Sequence, residues 1–270
     1  MRCLRSQDWA VALVAWTVAG GVLAGCAGSS PSRSNASAAT RNLASTQPGR
    51  SAAAATQLIV GYSVDRRPIR AYVVGGLGAR HSVLVVGCLH GNEPAGEAIT
   101  ARLRHRVPPR GVALWLVDEF NPDGCLAHTR QNAHGVDLNR NSPWHWRPLD
   151  HPGGLFYSGP APLSEPESRA IHRLVLHLRP AVSIWYHQHA ALVDDSSGGS
   201  LELERRYATL VGLPVVNYGV FPGSITSWQD ATSPHDTAFV VELPAGALPP
   251  TEVNRHVAAV LALARAVNHG

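Results

Sequence analysis

Residues Ser82 to Glu97, SVLVVGCLHGNEPAGE, constrain the fold more than any other stretch of the chain. Val83-Leu84-Val85-Val86 is apolar at every position. A strand buried on both faces reads that way, and such strands belong to parallel sheets covered by helices. After Gly87-Cys88-Leu89 the character changes abruptly to His90-Gly91-Asn92-Glu93-Pro94. Pro94 suits a first helical turn and small residues follow it, so a helix is expected from about Glu93 to Arg106. An imidazole and a carboxylate therefore stand at the carboxyl end of a strand, where open α/β sheets place their sites. A His and a Glu separated by two residues at such a turn can both reach one cation. Two such ligands, a more distant third and one open position for water make a catalytic zinc site. The spacing alone fits a solvated surface turn equally well, so the later motifs decide.

The rest of the chain supplies the sheet. Leu58–Ser63 and Arg67–Val74 read as a hairpin with alternating burial. Val112–Val117 is a second buried strand, reached through the turn Pro108-Pro109-Arg110-Gly111. This β-α-β order predicts a parallel, three-layer α/β architecture. Ser164-Glu165-Pro166-Glu167 opens a helix to about Leu178, with Ser164 as cap and Glu167 at the capping-box position. Ala181–Tyr186 is the next strand and ends in His187-Gln188-His189. Further elements are a helix over about Leu201–Val211, a strand Ala238–Val241 running into Glu242-Leu243-Pro244, and a helix over about Thr251–Val267. Asn121-Pro122-Asp123-Gly124 is a turn by composition, 141–162 an ordered loop, and Asp194–Gly199 a flexible loop.

Composition narrows the partners. With 45% hydrophobic and 16% charged residues the chain can bury one sizeable core. The net charge of +4 is carried by arginines that are scattered, not clustered, which excludes a nucleic-acid stripe. The N-terminus reads as a targeting segment, with a basic start at Met1–Arg5 and an apolar run Trp9–Leu23 too short and interrupted for a membrane span. It ends in Leu23-Ala24-Gly25-Cys26, which resembles a bacterial lipobox. That resemblance implies a signal peptide over 1–25 and a lipid anchor at Cys26 on the outer face of the cell membrane. Residues 26–55 are poor in large apolar side chains and read as a disordered Ser/Ala-rich tether, so the folded domain is expected over 56–270. Of the four cysteines, Cys88 and Cys125 then remain. In an export compartment they form either a bridge or two buried thiols, and the sequence leaves both open.

Polar groups gather at the ends of these strands: His90 and Glu93, Arg130 with Asn139-Arg140, His187 and His189, and Glu242. Arg in such a cluster can clamp a carboxylate through two hydrogen bonds. A Glu placed directly after Phe239-Val240-Val241 is costly to bury unless paired or working. The combination points to zinc-assisted hydrolysis, in which a carboxylate takes a proton from the attacking water.

The motifs also resemble the zinc carboxypeptidases, and within them the branch that includes the murein peptide amidases. The resemblance lies in His90-Gly91-Asn92-Glu93, Asn121-Pro122-Asp123-Gly124, Arg130-Gln131-Asn132, Gly135-Val136-Asp137-Leu138-Asn139-Arg140-Asn141, Pro222-Gly223-Ser224 with Trp228, and Val241-Glu242-Leu243-Pro244. They occur in the family's order across most of 56–270. The resemblance implies a three-layer α/β/α sandwich around a mixed, mainly parallel sheet and a single zinc ion. It assigns His90 and Glu93 as zinc ligands and Asp137 as the carboxylate that orients His90. Arg130 stabilises the oxyanion, Asn139 and Arg140 bind the substrate's free carboxylate, and Glu242 is the general base. The third ligand is His187 or His189, with His187 favoured as the first His after the strand. The larger carboxypeptidases close a Tyr over substrate, and Tyr218 lies in the expected region without a motif that fixes it.

The expected activity is that of a lipid-anchored peptidase acting on peptides with a free carboxylate, in particular cell-wall peptides such as γ-D-glutamyl-diaminopimelate. A small-molecule deacylase resembling succinylglutamate desuccinylases and aspartoacylases is the competing enzyme reading; the NPDG turn, the Arg130-Gln131-Asn132 element and the export signal count against it. A non-catalytic peptide-binding lipoprotein is the third reading, and the full set of ligand and base residues counts against that.

Overall fold

In the chain's computed structural model, residues 54–195 and 198–268 are described. The expected signal segment 1–25, Cys26 and nearly all of the tether lie outside the described residues. The described chain begins just before β1 (Thr56–Tyr62), which forms an antiparallel hairpin with β2 (Pro68–Val74). β3 (His81–Cys88) and β4 (Val112–Glu119) follow, separated by α1 (Glu97–Leu103). Then come α2 (Pro122–Ala127), α3 (Pro166–Leu178), β5 (Val182–Asp194), α4 (Leu201–Val211), β6 (Val215–Val216), α5 (Ile225–Thr232), β7 (Thr237–Pro244) and α6 (Pro250–Ala266). The sheet runs β1-β2-β4-β3-β5-β6, with β7 also paired to β5. The β1-β2 and β2-β4 pairs are antiparallel, and β3 lies parallel to both β4 and β5.

Side-chain alternation splits the apolar strands between two cores. Val83, Val85, Leu114, Leu116, Ile184 and Tyr186 point to one face, where α1, α4 and α6 cover them. Leu84, Val86, Trp115, Val117 and Trp185 point to the other, beneath α3 and α5. Strands that present apolar residues to both faces need helices on both, and the expected α/β/α sandwich is the result. Among the described residues no helix is long and apolar enough to cross a membrane.

Several expectations are corrected in detail. The helix after His90 begins as a 3-10 turn at Pro94–Gly96 and its α part ends at Leu103, short of Arg106. Asn121-Pro122-Asp123-Gly124 is not a bare turn but the start of α2, where the Asn121 side chain accepts from the Gly124 N–H at 3.0 Å. Ser164 is not the cap of α3; Glu165 holds that position, and the Ser164 hydroxyl donates to the Glu165 carboxylate at 2.7 Å. The largest difference is β5. It pairs in parallel with β7 from Val182↔Thr237 to His189↔Pro244, and then the partners run backwards, from Ala190↔Pro244 to Asp194↔Val240. The chain turns over the end of β7 and returns along it, so residues to Asp194, expected in part as loop, are strand.

Because β3, β4, β5 and β7 share one direction, their carboxyl ends open at one edge of the sheet. There the loops meet at backbone distance. A Cβ on Gly91 would lie 1.9 Å from the Gly124 carbonyl carbon and 2.2 Å from the Cys125 nitrogen. Gly91→Ala is therefore expected to lower stability by about 2–3 kcal/mol, read as a fall in the urea midpoint. Gly78→Ala, where nothing lies within 4 Å of the added carbon, should stay within about 0.5 kcal/mol. Equal midpoints for the two variants would contradict this packing.

Candidate active site

The turn after β3 places the first two polar groups. Glu93 N–H donates to the His90 carbonyl at 2.9 Å, and Pro94 starts the 3-10 turn behind it. His187 arrives from β5, directly opposite Glu242 of β7. His90, Glu93 and His187 are all buried, and their donor atoms converge. His90 Nδ1 lies 3.0 Å from Glu93 Oε2. His187 Nδ1 lies 2.9 Å from the same oxygen and 3.1 Å from His90 Nδ1.

The chemistry of this set fits a cation. His90 Nε2 stands 3.1 Å from Asp137 Oδ1. The carboxylate only accepts, so Nε2 carries the proton and Nδ1 presents a lone pair. One proton satisfies one of the three short contacts, while one cation satisfies them all. A tetrahedral zinc with nitrogen and oxygen ligands sets donor–donor edges of about 3.3 Å, within a few tenths of the observed spacing. Burial works against charge on His90, but Asp137 overcomes it and raises the imidazole above its ordinary pKa. Asp137 is itself buried, yet His90 and Arg130 hold its carboxyl well below the usual range. Burial likewise opposes charge on Glu93, and the two histidines depress its carboxyl below the usual range.

The loop 130–141 wraps around Asp137. Arg130 donates to Asp137 Oδ2 from Nε at 3.0 Å and Nη2 at 2.9 Å, and reaches Glu93 Oε1 from Nη1 at 3.3 Å. Each terminal nitrogen keeps a second N–H for another acceptor. Asp137 also caps the short 3-10 turn Leu138–Arg140, accepting from Asn139 N–H at 2.9 Å. Asn132 braces the loop from behind, donating to Glu165 Oε2 at 2.8 Å and Glu167 Oε2 at 3.1 Å. Asn139 Oδ1 accepts from Ile225 N–H at 3.1 Å, which joins the loop to the start of α5. The Pro222-Gly223-Ser224 motif serves the same contact: a Cβ on Gly223 would lie 2.0 Å from the Arg140 carbonyl oxygen.

A cavity of about 240 Å³ connects these groups. Its lining includes His90, Glu93, Arg130, Asn139, Arg140, His187 and Glu242, so all but two of the predicted site residues in the folded part face one space. Asp137 is fully buried behind His90. His189 is exposed and does not line the cavity. Arg140 is 8% exposed, donates to the Asn139 carbonyl at 2.8 Å, and pairs with no carboxylate among the described residues. Phe156 and Phe221 lie across its guanidinium at 5.3 and 4.8 Å. Tyr218 lines the cavity too; partial burial and then the nearby Glu242 and Asp194 raise its hydroxyl pKa.

Four contributors were missed in the sequence. Gln188 accepts from Ala95 N–H at 3.0 Å and donates to the Pro244 and Gly246 carbonyls at 2.8 Å each, tying the ligand turn to β7. Asp194 reaches the cavity only because β5 turns back. Phe156 and Phe221 come from loops without a readable period. Only the polar His187-Gln188-His189 run hinted at any of these, and it gave no reason to choose Gln188.

A family model described as zinc carboxypeptidase matches residues 40–194. Murein peptide amidase A of Escherichia coli (strain K12) is 30% identical over 163 residues, 56% of this chain and 66% of that relative, just under two thirds of its length. Murein peptide amidase A of Vibrio campbellii is 28% identical over 196 residues, covering 67% and 76%. The crystal structure of murein-tripeptide amidase MpaA from Escherichia coli O157 superposes with a TM-score of 0.63 at 26% identity, covering 77% of this chain and 91% of that one. Carboxypeptidase A from Helicoverpa armigera gives a TM-score of 0.69 at 17% identity, covering 80% and 70%, a likeness of fold.

The depressed carboxyls of Glu93 and Asp137 have a consequence for acid stability. Their contribution is full above the unfolded carboxyl range of about 4–4.5 and is lost as pH falls from there toward their folded values. The unfolding free energy of the metal-free chain should therefore drop steadily below about pH 4.5, with roughly two extra protons bound on unfolding from this pair. Asp137→Asn should reduce that slope by about one proton. A slope unchanged by the substitution would contradict the assignment.

Proposed function

Because this chain belongs to the zinc carboxypeptidase family, we propose that it is a zinc-dependent hydrolase of peptide or amide bonds beside a free carboxylate, acting with one zinc ion on cell-wall peptides such as γ-D-glutamyl-diaminopimelate. The observation that carries this reading is Arg140, a buried guanidinium without a carboxylate partner among the described residues, in the same cavity as the His90, Glu93 and His187 donors. An unpaired buried charge is costly, and an arriving carboxylate relieves that cost through charge-assisted hydrogen bonds.

His90, Glu93 and His187 would hold the zinc, which would supply Lewis acidity toward the scissile carbonyl and the attacking water. Glu242 takes the water's proton and returns it to the leaving amine. Arg130, fixed by Asp137, turns its remaining N–H groups to the negative oxygen that develops on the carbonyl. Arg140 and Asn139 hold the substrate's carboxylate and thereby set which bond is presented to Glu242 and Arg130. Asp194 lines the same cavity and accepts from Tyr218 N–H at 3.1 Å.

The test uses the purified, zinc-loaded full chain with L-Ala-γ-D-Glu-diaminopimelate, and mass spectrometry to detect released diaminopimelate. Glu242→Gln is expected to lower kcat by about 10²–10⁴-fold. Arg140→Gln should act mainly on KM, raising it about 10–100-fold. No release by a chain that demonstrably holds zinc would sink this substrate.

We propose also that residues 1–25 are a lipoprotein signal, that 26–55 is a tether and that Cys26 carries a lipid anchor, on the strength of the Leu23-Ala24-Gly25-Cys26 motif. Fractionated cells should hold the native chain in the membrane and Cys26→Ser in the soluble export fraction. An unmodified Cys26 in the mature protein would end this reading.

A further inference from the structure

Cys88 closes β3, two residues before His90, and Cys125 lies in α2. Their sulfurs are 3.1 Å apart. The Cys88 thiol also faces the His90 carbonyl at 3.1 Å. Between them the His90–Glu93 turn rests directly on α2, since Gly91 leaves no room for a Cβ against Gly124 and Cys125. Cys88 is buried, whereas Cys125 is half-buried and borders a second cavity of about 500 Å³, lined also by Glu97 and His128. A reagent in that cavity can reach Cys125 first.

We propose that Cys88 and Cys125 are a modification site: they close into a disulfide that staples the His90–Glu93 turn to α2. The bond forms by exchange with an external disulfide, either a small-molecule disulfide or an oxidised dithiol protein. Cys125 attacks it and releases one thiol; Cys88 then attacks the mixed disulfide at Cys125 and releases the second. The protein thiols lose two protons and two electrons in all, and the external disulfide gains them as two thiols. The competing use of these groups is a soft cation held by both sulfurs and Glu97, whose donor atoms lie within 4.8 Å of one another. Zinc held by thiolates separates them by about 3.8 Å. The sulfurs stand at 3.1 Å, between a bonded length of about 2.05 Å and that separation, and the set offers three donors where a closed structural zinc site has four. An exported chain meets the oxidants that make such a bond.

Formation of the disulfide is independent of the proposed activity; its effect on the ligand turn rests on reading His90 and Glu93 as metal ligands. The test takes the zinc-loaded full chain, oxidised with glutathione disulfide, alkylated under denaturing conditions and mapped by peptide mass spectrometry. A Cys88–Cys125 linked peptide is expected. Reduction should lower Tm by about 5–10 °C and should speed zinc transfer to a chelator roughly tenfold; Cys125→Ser should abolish both responses to reductant. Two freely alkylated thiols after oxidation, or a second zinc per chain that shields them, would overturn the disulfide. A linked peptide with unchanged zinc release would overturn only its hold on the ligand turn.

Discussion

The structure around the cavity depends on one buried carboxylate. Asp137 is fully buried and all its acceptor positions are used: Oδ1 by His90 and the Asn139 N–H, Oδ2 by two nitrogens of Arg130. An ionised carboxylate out of water costs several kcal/mol unless it is paired and hydrogen-bonded in this way. The 130–141 loop must therefore close on Asp137 for the chain to fold. That closure fixes three things together. It sets the tautomer of His90, so that Nδ1 faces Glu93 and His187. It locks the Arg130 plane. It starts the 3-10 turn that sends Asn139 and Arg140 toward the cavity. Stability and site geometry are in this region one requirement.

The glycines of the motifs follow from the same closure. Gly91 lies on the α2 backbone, and Gly223 lies on the Arg140 carbonyl. Gly223 has φ +73°, a conformation other residues adopt only with strain. Three loops from distant parts of the chain thus approach at backbone distance, where a methyl group would hold them apart. The walls of the site meet at main chain as well as through side-chain bonds such as Asn139 to the Ile225 N–H.

Much of this was legible in the sequence, for identifiable reasons. Strands buried on both faces are apolar throughout, so β3, β4 and the first half of β5 announce themselves. Which residues face which core is hidden in such runs, and the split between Val83/Val85 and Leu84/Val86 came only from the packing. The polar clusters at the strand ends were visible as costly side chains in apolar surroundings. Family likeness gave them order, and the cavity collects them. His187 was favoured over His189 only as the first His after the strand, and the reason it lies inside was not legible in the sequence. β5 turns over the end of β7 at that point, which leaves His187 inside and His189 in solvent. The same turn hid Asp194, whose Asp-Asp-Ser-Ser-Gly-Gly surroundings read as a loop. Asn121-Pro122-Asp123-Gly124 misled for the opposite reason: turn formers also serve as a helix cap and first turn, and local composition does not separate the two.

The charge layout ties these observations together. Glu93, Asp137, Asp194 and Glu242 are set against Arg130 and Arg140 in and directly behind one cavity. Four carboxylates against two guanidinium groups leave two negative charges, which a divalent cation on His90, Glu93 and His187 would cancel. Arg130 is already committed to Asp137 and Glu93, whereas Arg140 has no carboxylate partner among the described residues, so the imbalance is not evenly spread and positive charge remains at Arg140. A carboxylate brought to Arg140 would complete that pairing in the same cavity that holds the His90, Glu93 and His187 donors, so the anion site and the cation site share one space.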